Sequence, residues 1–500
     1  CTYARMARDL IRYHGENPRD WRACFKYIQE NYGYDRFPGS CHIIPNAAIV
    51  LLSLLYGEGD FSRSVCICTM CGWDTDSNAG NVGSIVGTLA GLTGIEYDRW
   101  RKPVNDFLAC SSVIGSLNIL DIPQCALYMA GLGYRLAGEE PAGELHEILG
   151  GDSPRFHFEL PGSTHGFRVA SGAGEPIASR IRQTTACAHS GMGSLEVTAG
   201  PDDSGAIRIY HKTYYSPKDF YDSRYDPSFS PVLYPGQTVR GHVLLPAGCG
   251  RVAASLYVLD GNSGVETESD AVYLTPGQWT ELMLDIPPME GARMDAAGVK
   301  LRLDDEDTAP VTVFLDDFDF EGGPDYTIDF SGEHMEIWHT GRREVSQFTY
   351  WKGIWELEDG MLSGRTYDAG EAYTGSHEWT DYTVTATMAP QVGEHHNINF
   401  RVQGAVRSYA AGLAPDGRLV LYKNNNGYRE LCSVAYPWEC KRAYTITVEV
   451  MGSKIRVSSN GKTLIAYTDR DRPYLTGQIG ASLLGGSHCH YTGFHIIGRT

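Results

Sequence analysis

Asp74, Asp76 and Ser77 place two carboxyl groups and a hydroxyl in one short run, Gly72-Trp73-Asp74-Thr75-Asp76-Ser77-Asn78, where a helix is predicted to begin. Carboxylate and hydroxyl oxygens are the donors Mg²⁺, Mn²⁺ and Ca²⁺ prefer, and like charges this close need a cation or good hydrogen bonds to offset their repulsion. The same residue types also cap helices, so the residues alone leave a metal site and an ordinary cap both open. Behind them Gly83, Gly87 and Gly91 recur every fourth residue. On a helix that spacing makes a bare face, which costs helix propensity and predicts very close packing against another helix.

The longer string resembles a known signature. Gly-Trp-Asp-Thr-Asp-Ser followed by a small-residue helix is similar to the C-terminal signature of the ADP-ribosylglycohydrolase family. His42-Ile43-Ile44-Pro45-Asn46-Ala47-Ala48 and Leu54-Leu55-Tyr56-Gly57-Glu58-Gly59-Asp60-Phe61 resemble the helical segment before it. The resemblance spans roughly residues 1–135. It implies an all-α fold with a one- or two-ion Mg²⁺ (or Mn²⁺) centre that hydrolyses N- or O-glycosidic bonds to ADP-ribose or related glycosyl groups. By that resemblance Asp74, Asp76 and Ser77 are metal ligands, Ser77 standing where the family usually has Thr. Asn46, Trp73 and Asn105 fall at the substrate, although a turn or cap explains Asn105 equally well. Family members also carry an N-terminal half whose Thr-Asp-Asp cluster supplies the other ligands. Nothing before Cys1 provides it, and the chain starts without Met inside a predicted helix. The expectation is a fragment or a degenerate member, with half a metal site and its acid/base residue unknown.

The remaining candidates are weaker. Cys68-x-x-Cys71 has zinc-like spacing, but no second pair completes it, and small buried thiols account for it. Thirteen cysteines, an odd number, are no disulfide framework. Free thiols in this number fit the cytoplasm, and secretion stays open. A net charge of −19 opposes nucleic acid, which needs a basic surface, and no apolar run approaches a membrane span of about 18 residues.

Five hundred residues exceed one ordinary core. Helical periodicity predicts Tyr3–Tyr13, Asp20–Tyr32, Ile44–Tyr56, Phe61–Cys71, Ser77–Leu92 and Ile122–Leu136, within a helical segment 1–137. A Gly-, Glu- and Pro-rich linker covers 138–154, with one short amphipathic piece, Leu145–Leu149. Alternation then predicts a β-sandwich over 155–322, with strands at Phe156–Leu160, Ser194–Val197, Ala206–Tyr210, Val252–Leu259 and Val311–Phe320. Gly277-Gln278-Trp279-Thr280-Glu281-Leu282 and the run ending Asp317-Phe318-Asp319-Phe320 resemble galactose-binding-type jelly rolls. That likeness implies a structural Ca²⁺ at Glu159 and Asp317, and exposed acids on an edge strand are the alternative. Tyr214, with Tyr215, Tyr221 and Tyr225, is a candidate sugar platform or simply core.

Gly322-Gly323-Pro324 separates a second sandwich, 325–500. Trp355-x-Leu-x-Asp-Gly360, Trp379-Thr380-Asp381-Tyr382 and Gly477-Gln478-Ile479-Gly480 resemble concanavalin-A-like jelly rolls of the 3-keto-disaccharide hydrolase group. Arg401, Gln403, Arg407 and Tyr409 are candidates to line a concave sugar face, though a solvent-facing strand needs no ligand. The expected whole is an all-α segment followed by two all-β jelly rolls. The expected function is a metal-dependent glycohydrolase carrying carbohydrate-binding modules. The alternatives are a non-catalytic glycan-binding protein, or a sugar hydrolase or lyase in the last domain.

Overall fold

A computed structural model describes residues 1–150, 153–170, 179–202, 204–220, 227–303 and 310–499. Tyr221 and Tyr225 lie outside the described residues. The chain divides into two compact units, Cys1–Asn105 and Asp106–Thr500.

The first unit is helical: α1 Thr2–Glu16, α2 Trp21–Tyr32, α3 Ile43–Gly57, α4 Phe61–Met70 and α5 Thr75–Ala90. Their starts lie within two residues of the periodicity. The apolar α3 lies at the centre, with Ala48, Ile49, Leu52 and Tyr56 meeting Met6 and Leu10 of α1, Ile28 of α2, Ile67 and Cys68 of α4, and Val82 of α5. Local chemistry fixes the helix starts. Asp20 accepts from the Ala23 amide (2.9 Å), His42 Nδ1 from the Ile44 amide (3.1 Å) and Asp60 from the Arg63 amide (2.6 Å). The glycine stripe packs against α4, but not backbone to backbone. A methyl at Gly83 or Gly87 would meet Phe61 at 3.8 and 3.5 Å, and Gly91 ends the helix at φ +66°. Aromatic breadth on α4 fills the groove that the spacing alone assigned to bare contact.

α6, Ile122–Ala137, belongs to the second unit. Its cap Asp121 accepts from the Gln124 amide and holds buried His165 at 2.9 Å, while Asp106 takes the Thr164 amide at 2.6 Å. The predicted linker contains a short helix, Glu144–Ile148.

The first sandwich packs a six-stranded sheet against a five-stranded one. The five-stranded sheet runs Trp279–Asp285, Thr238–Leu244, Val311–Glu321, Ser194–Ala199, Arg180–Thr184. Phe156–Leu160 is not a strand. Phe158 takes φ +53° and only a single bridge forms, Phe156 to Phe318. The second sandwich packs a nine-stranded sheet on a seven-stranded one of order Thr349–Trp351, Ala369–Thr374, Gln478–Leu484, His395–Gly404, Arg407–Ala414, Arg418–Asn425, Tyr428–Ala435. Asp359-Gly360 and Asn460-Gly461 close two-residue hairpins with both φ values positive, as such turns require. The two sandwiches share packing. Tyr234 packs tilted against Tyr326 and edge-on against Trp379 in the second core, and Trp338 joins the first.

All thirteen cysteines are free. No helix among the described residues is long and apolar enough to cross a membrane.

Candidate functional site

In the helical unit the turn Gly72–Asp74 has positive φ at Gly72 (+72°) and Asp74 (+43°), and it delivers Asp74 to the N-cap position of α5. Asp74 does not cap. Its side chain makes no bond to the first-turn amides. Instead Oδ2 accepts a short hydrogen bond from Nδ2 of Asn46, in the first turn of α3. Asn46, 8% exposed, accepts in turn from the Tyr34 hydroxyl at 2.7 Å. Trp73 packs against Tyr34 (ring centroids 4.9 Å) and Phe25 (5.2 Å), and its carbonyl takes Nδ2 of Asn78 at 2.8 Å.

The structure therefore brings Asn46, Trp73 and Asp74 together. Asp76 and Ser77 follow in the exposed first turn of α5. A hydrogen bond to Asp74, then burial and the charges of Asp74 and Asp76, push the Cys41 thiol pKa up, which places Cys41 beside the carboxyls. Asn105 ends the unit at φ +50°.

Tyr34 and Cys41 were not legible as site residues. Their only signal is position, in the polar loop that immediately precedes α3. The donors here are carboxyl and hydroxyl oxygens, the set a hard divalent cation takes. Among the described residues, three or more His, Cys, Asp or Glu ligand atoms converge at two other places, His189/His242/Asp317 and Glu358/His488/His490.

In the first sandwich Glu159 and Asp317 both hold the loop before strand Ser194–Ala199, by different means. Glu159 accepts the amides of Met192 (3.0 Å) and Gly193 (3.2 Å). Asp317 takes the Ser190 hydroxyl (2.7 Å) and His189 Nδ1 (2.6 Å). Tyr214 is core: at 1% exposure its hydroxyl donates to Glu336 (2.9 Å) and accepts from the Gln347 amide (2.9 Å), so no ring face remains for a sugar.

In the second sandwich Arg401 is 1% exposed and serves the fold. It donates to the carbonyls of Thr380, Gly452 and Tyr474 and to Asp381. A register break between Phe400 and Gly404, with Arg401 at φ +47°, turns it inward, and period-two reasoning cannot anticipate this. Tyr409 is core as well. Gln403 donates to the Thr476 carbonyl (3.1 Å) and accepts from Arg407 (3.4 Å). Arg407 lies over the Tyr474 ring at 4.6 Å and lines a cavity of about 310 Å³ with Lys423, Asn425, Arg429, Asp471 and Arg472. Four cations line this cavity of an acidic protein.

The seven-stranded sheet also carries an unforeseen polar row. Ser482 pairs with both Glu371 and Asn397, and Gly480 with both Tyr373 and Asn399. Glu371 accepts from the Tyr428 hydroxyl (3.0 Å), which accepts from Asn399 (2.8 Å). Burial pushes the Glu371 pKa up to about 8 against that one hydrogen bond. Glu371 Oε2, Asn397 Oδ1 and Asn399 Oδ1 are buried without a protein partner.

Residues 2–126 match the model of the ADP-ribosylglycohydrolase family. Among solved structures the chain is similar to the carbohydrate-binding module CBM66 from Bacillus subtilis, with 17% identity over 29% of this chain and 94% of that chain and a TM-score of 0.27. It is also similar to the CBM22-1–CBM22-2 tandem of Paenibacillus barcinonensis Xyn10C (14%, 69% and 98%, 0.23) and to a putative glycosyl hydrolase from Parabacteroides distasonis (12%, 31% and 89%, 0.24). No curated protein matches the chain.

Proposed function

We propose that the helical unit is the catalytic part of a glycohydrolase that cleaves an N- or O-glycosidic bond to an ADP-ribosyl or related glycosyl group. One observation carries this reading: Asp74 occupies a cap position and yet makes no capping bond, its carboxyl being turned to Asn46 instead. A residue kept for the helix would cap it, as Asp20 and Asp60 do. The match of residues 2–126 to ADP-ribosylglycohydrolases supports the reaction class.

Asp74, Asp76 and Ser77 would hold Mg²⁺ or Mn²⁺, one ion or part of a pair. Six or more oxygens surround such a cation, so these three leave room for water and the hydroxyls of a ribose. When bound, the metal lowers the pKa of a water and orients a diol. Asn46, fixed by Tyr34, holds Asp74 in one orientation. Trp73 offers a half-buried ring beside it for the sugar or base of the substrate.

The test is release of ADP-ribose from an ADP-ribosylated protein by the full-length protein, with Mg²⁺ and with chelator. Turnover is expected only with metal, and Asp74→Ala and Asp76→Ala are expected to reduce it by at least about a hundredfold. Undiminished turnover in both variants overturns the reading.

A second reading rests on the basic cavity of the second sandwich, whose guanidinium groups and Tyr474 ring suit an acidic saccharide. In it the β modules hold a glycan, independently of catalysis. Uronate oligosaccharides that bind the wild type and not Arg407→Ala support it, and equal binding by both refutes it.

A further inference from the structure

The first sandwich contains a group of nitrogen and oxygen donors that the glycohydrolase reading does not use. His242 lies on strand Thr238–Leu244, in register with Asp316 of the neighbouring strand Val311–Glu321. That strand breaks register between Asp316 and Asp319, and Asp317 takes φ +47°. A bulge of this kind re-aims a side chain that regular alternation would send to the other face. Here it brings Asp317 to His189, whose Nδ1 lies 2.6 Å from Asp317 Oδ2.

The His189 ring is stacked on His242 at 3.6 Å, nearly parallel, with Trp279 edge-on at 5.8 Å. Nδ1 of His242 is buried and has no protein partner. One ligand atom from each of His189, His242 and Asp317 lies within 4.8 Å of the others.

We propose that His189, His242 and Asp317 bind a single zinc-class divalent cation. Two imidazoles and a carboxylate suit first-row transition ions, and two nitrogen donors disfavour Mg²⁺ and Ca²⁺. The cation takes the place of the hydrogen bond between His189 Nδ1 and Asp317 Oδ2, the single imidazole proton of His189 moving to Nε2, and gives the orphaned nitrogen of His242 its partner. Ser190, donating to the other oxygen of Asp317 at 2.7 Å, keeps that carboxyl oriented. Arg240, whose charge acts on His242, is already paired with Glu281 and Glu321. At the other convergent group, by contrast, Arg365 donates to Glu358 at 2.8 Å, where a metal would need that carboxyl. Three protein ligands leave a fourth position open to water. The bound ion ties the Cys187–Gly193 loop to two strands of the sheet.

The experiment is a Co²⁺ and Zn²⁺ titration of the full chain, followed by visible absorption and thermal melting. Expected are one equivalent of Co²⁺, d–d bands without thiolate charge transfer, and a Zn²⁺-dependent rise in Tm. The absorption matters because thirteen free cysteines compete for the metal. His242→Ala and His189→Ala should each weaken uptake at least about tenfold and abolish the Tm rise. His189 is exposed, so that variant keeps the fold, which its metal-free melt verifies. Absence of uptake, a thiolate signature, or full binding by His189→Ala overturns the proposal.

Discussion

The Asp74 carboxyl of the helical unit keeps contact with solvent and takes one amide from Asn46, whereas the Glu371 carboxyl of the second sandwich is 1% exposed and has one oxygen without a partner. The first lies on a left-handed turn at the head of a helix, half open to solvent. The second lies mid-sheet, where burial favours its neutral form and makes it a donor or acceptor to neutral hydroxyls. Polar residues in the second sandwich thus divide between an internal framework and a row with spare hydrogen-bonding capacity.

The largest effect that would break this contrast concerns the framework. Arg401→Ala takes the donor from the carbonyls of Thr380, Gly452 and Tyr474 and from Asp381 and leaves a cavity in place of a buried side chain, and is expected to cost about 3–5 kcal/mol in denaturant unfolding of the full chain. Lysine should not rescue it, since a point charge cannot span that fork of acceptors. A loss below about 1 kcal/mol would return Arg401 to the binding face.

Glu371 gives the next effect, through pH. Its folded pKa, about 8, lies above the unfolded carboxyl value, so the folded state holds the proton more tightly. Stability is therefore intact at low pH and falls as pH rises from about 4.5 through about 8. The expected difference is on the order of 3 kcal/mol between wild type and Glu371→Gln, absent at pH 5 and present at pH 9. The variant should be the more stable at pH 9. Parallel pH profiles would show that Glu371 is charged throughout.

Some of this was legible because it is local. Helix starts, the Asn460-Gly461 hairpin and the position of Asp74 at the head of α5 follow from neighbours in sequence. What escaped depends on contacts between distant residues or on broken periodicity. Arg401 and Asp317 both sit at register breaks with positive φ, so alternation misassigns their faces. The Glu371 row joins strands that lie far apart in sequence, Glu371 pairing with Ser482, and Tyr214 finds Glu336 across both sandwiches. Tyr34 reaches Asn46 only once α3 is packed.

The smallest prediction sharpens the helical side of the comparison, by asking which glycine truly permits close approach. At Gly83 an added methyl sits 3.8 Å from Phe61 and 3.9 Å from Val65, ordinary contact distances. Gly83→Ala should then gain about 0.5–1 kcal/mol from helix propensity and reduced unfolded-state entropy. Gly57 differs. A methyl there falls 1.9 Å from the Ser64 hydroxyl and 2.9 Å from its Cα, so α3 and α4 would have to separate. Gly57→Ala should lose about 1–3 kcal/mol. Paired melts of the two variants decide the matter: opposite signs place the tight helix crossing at Gly57–Ser64, whereas destabilisation by both would restore it to the stripe behind Asp74.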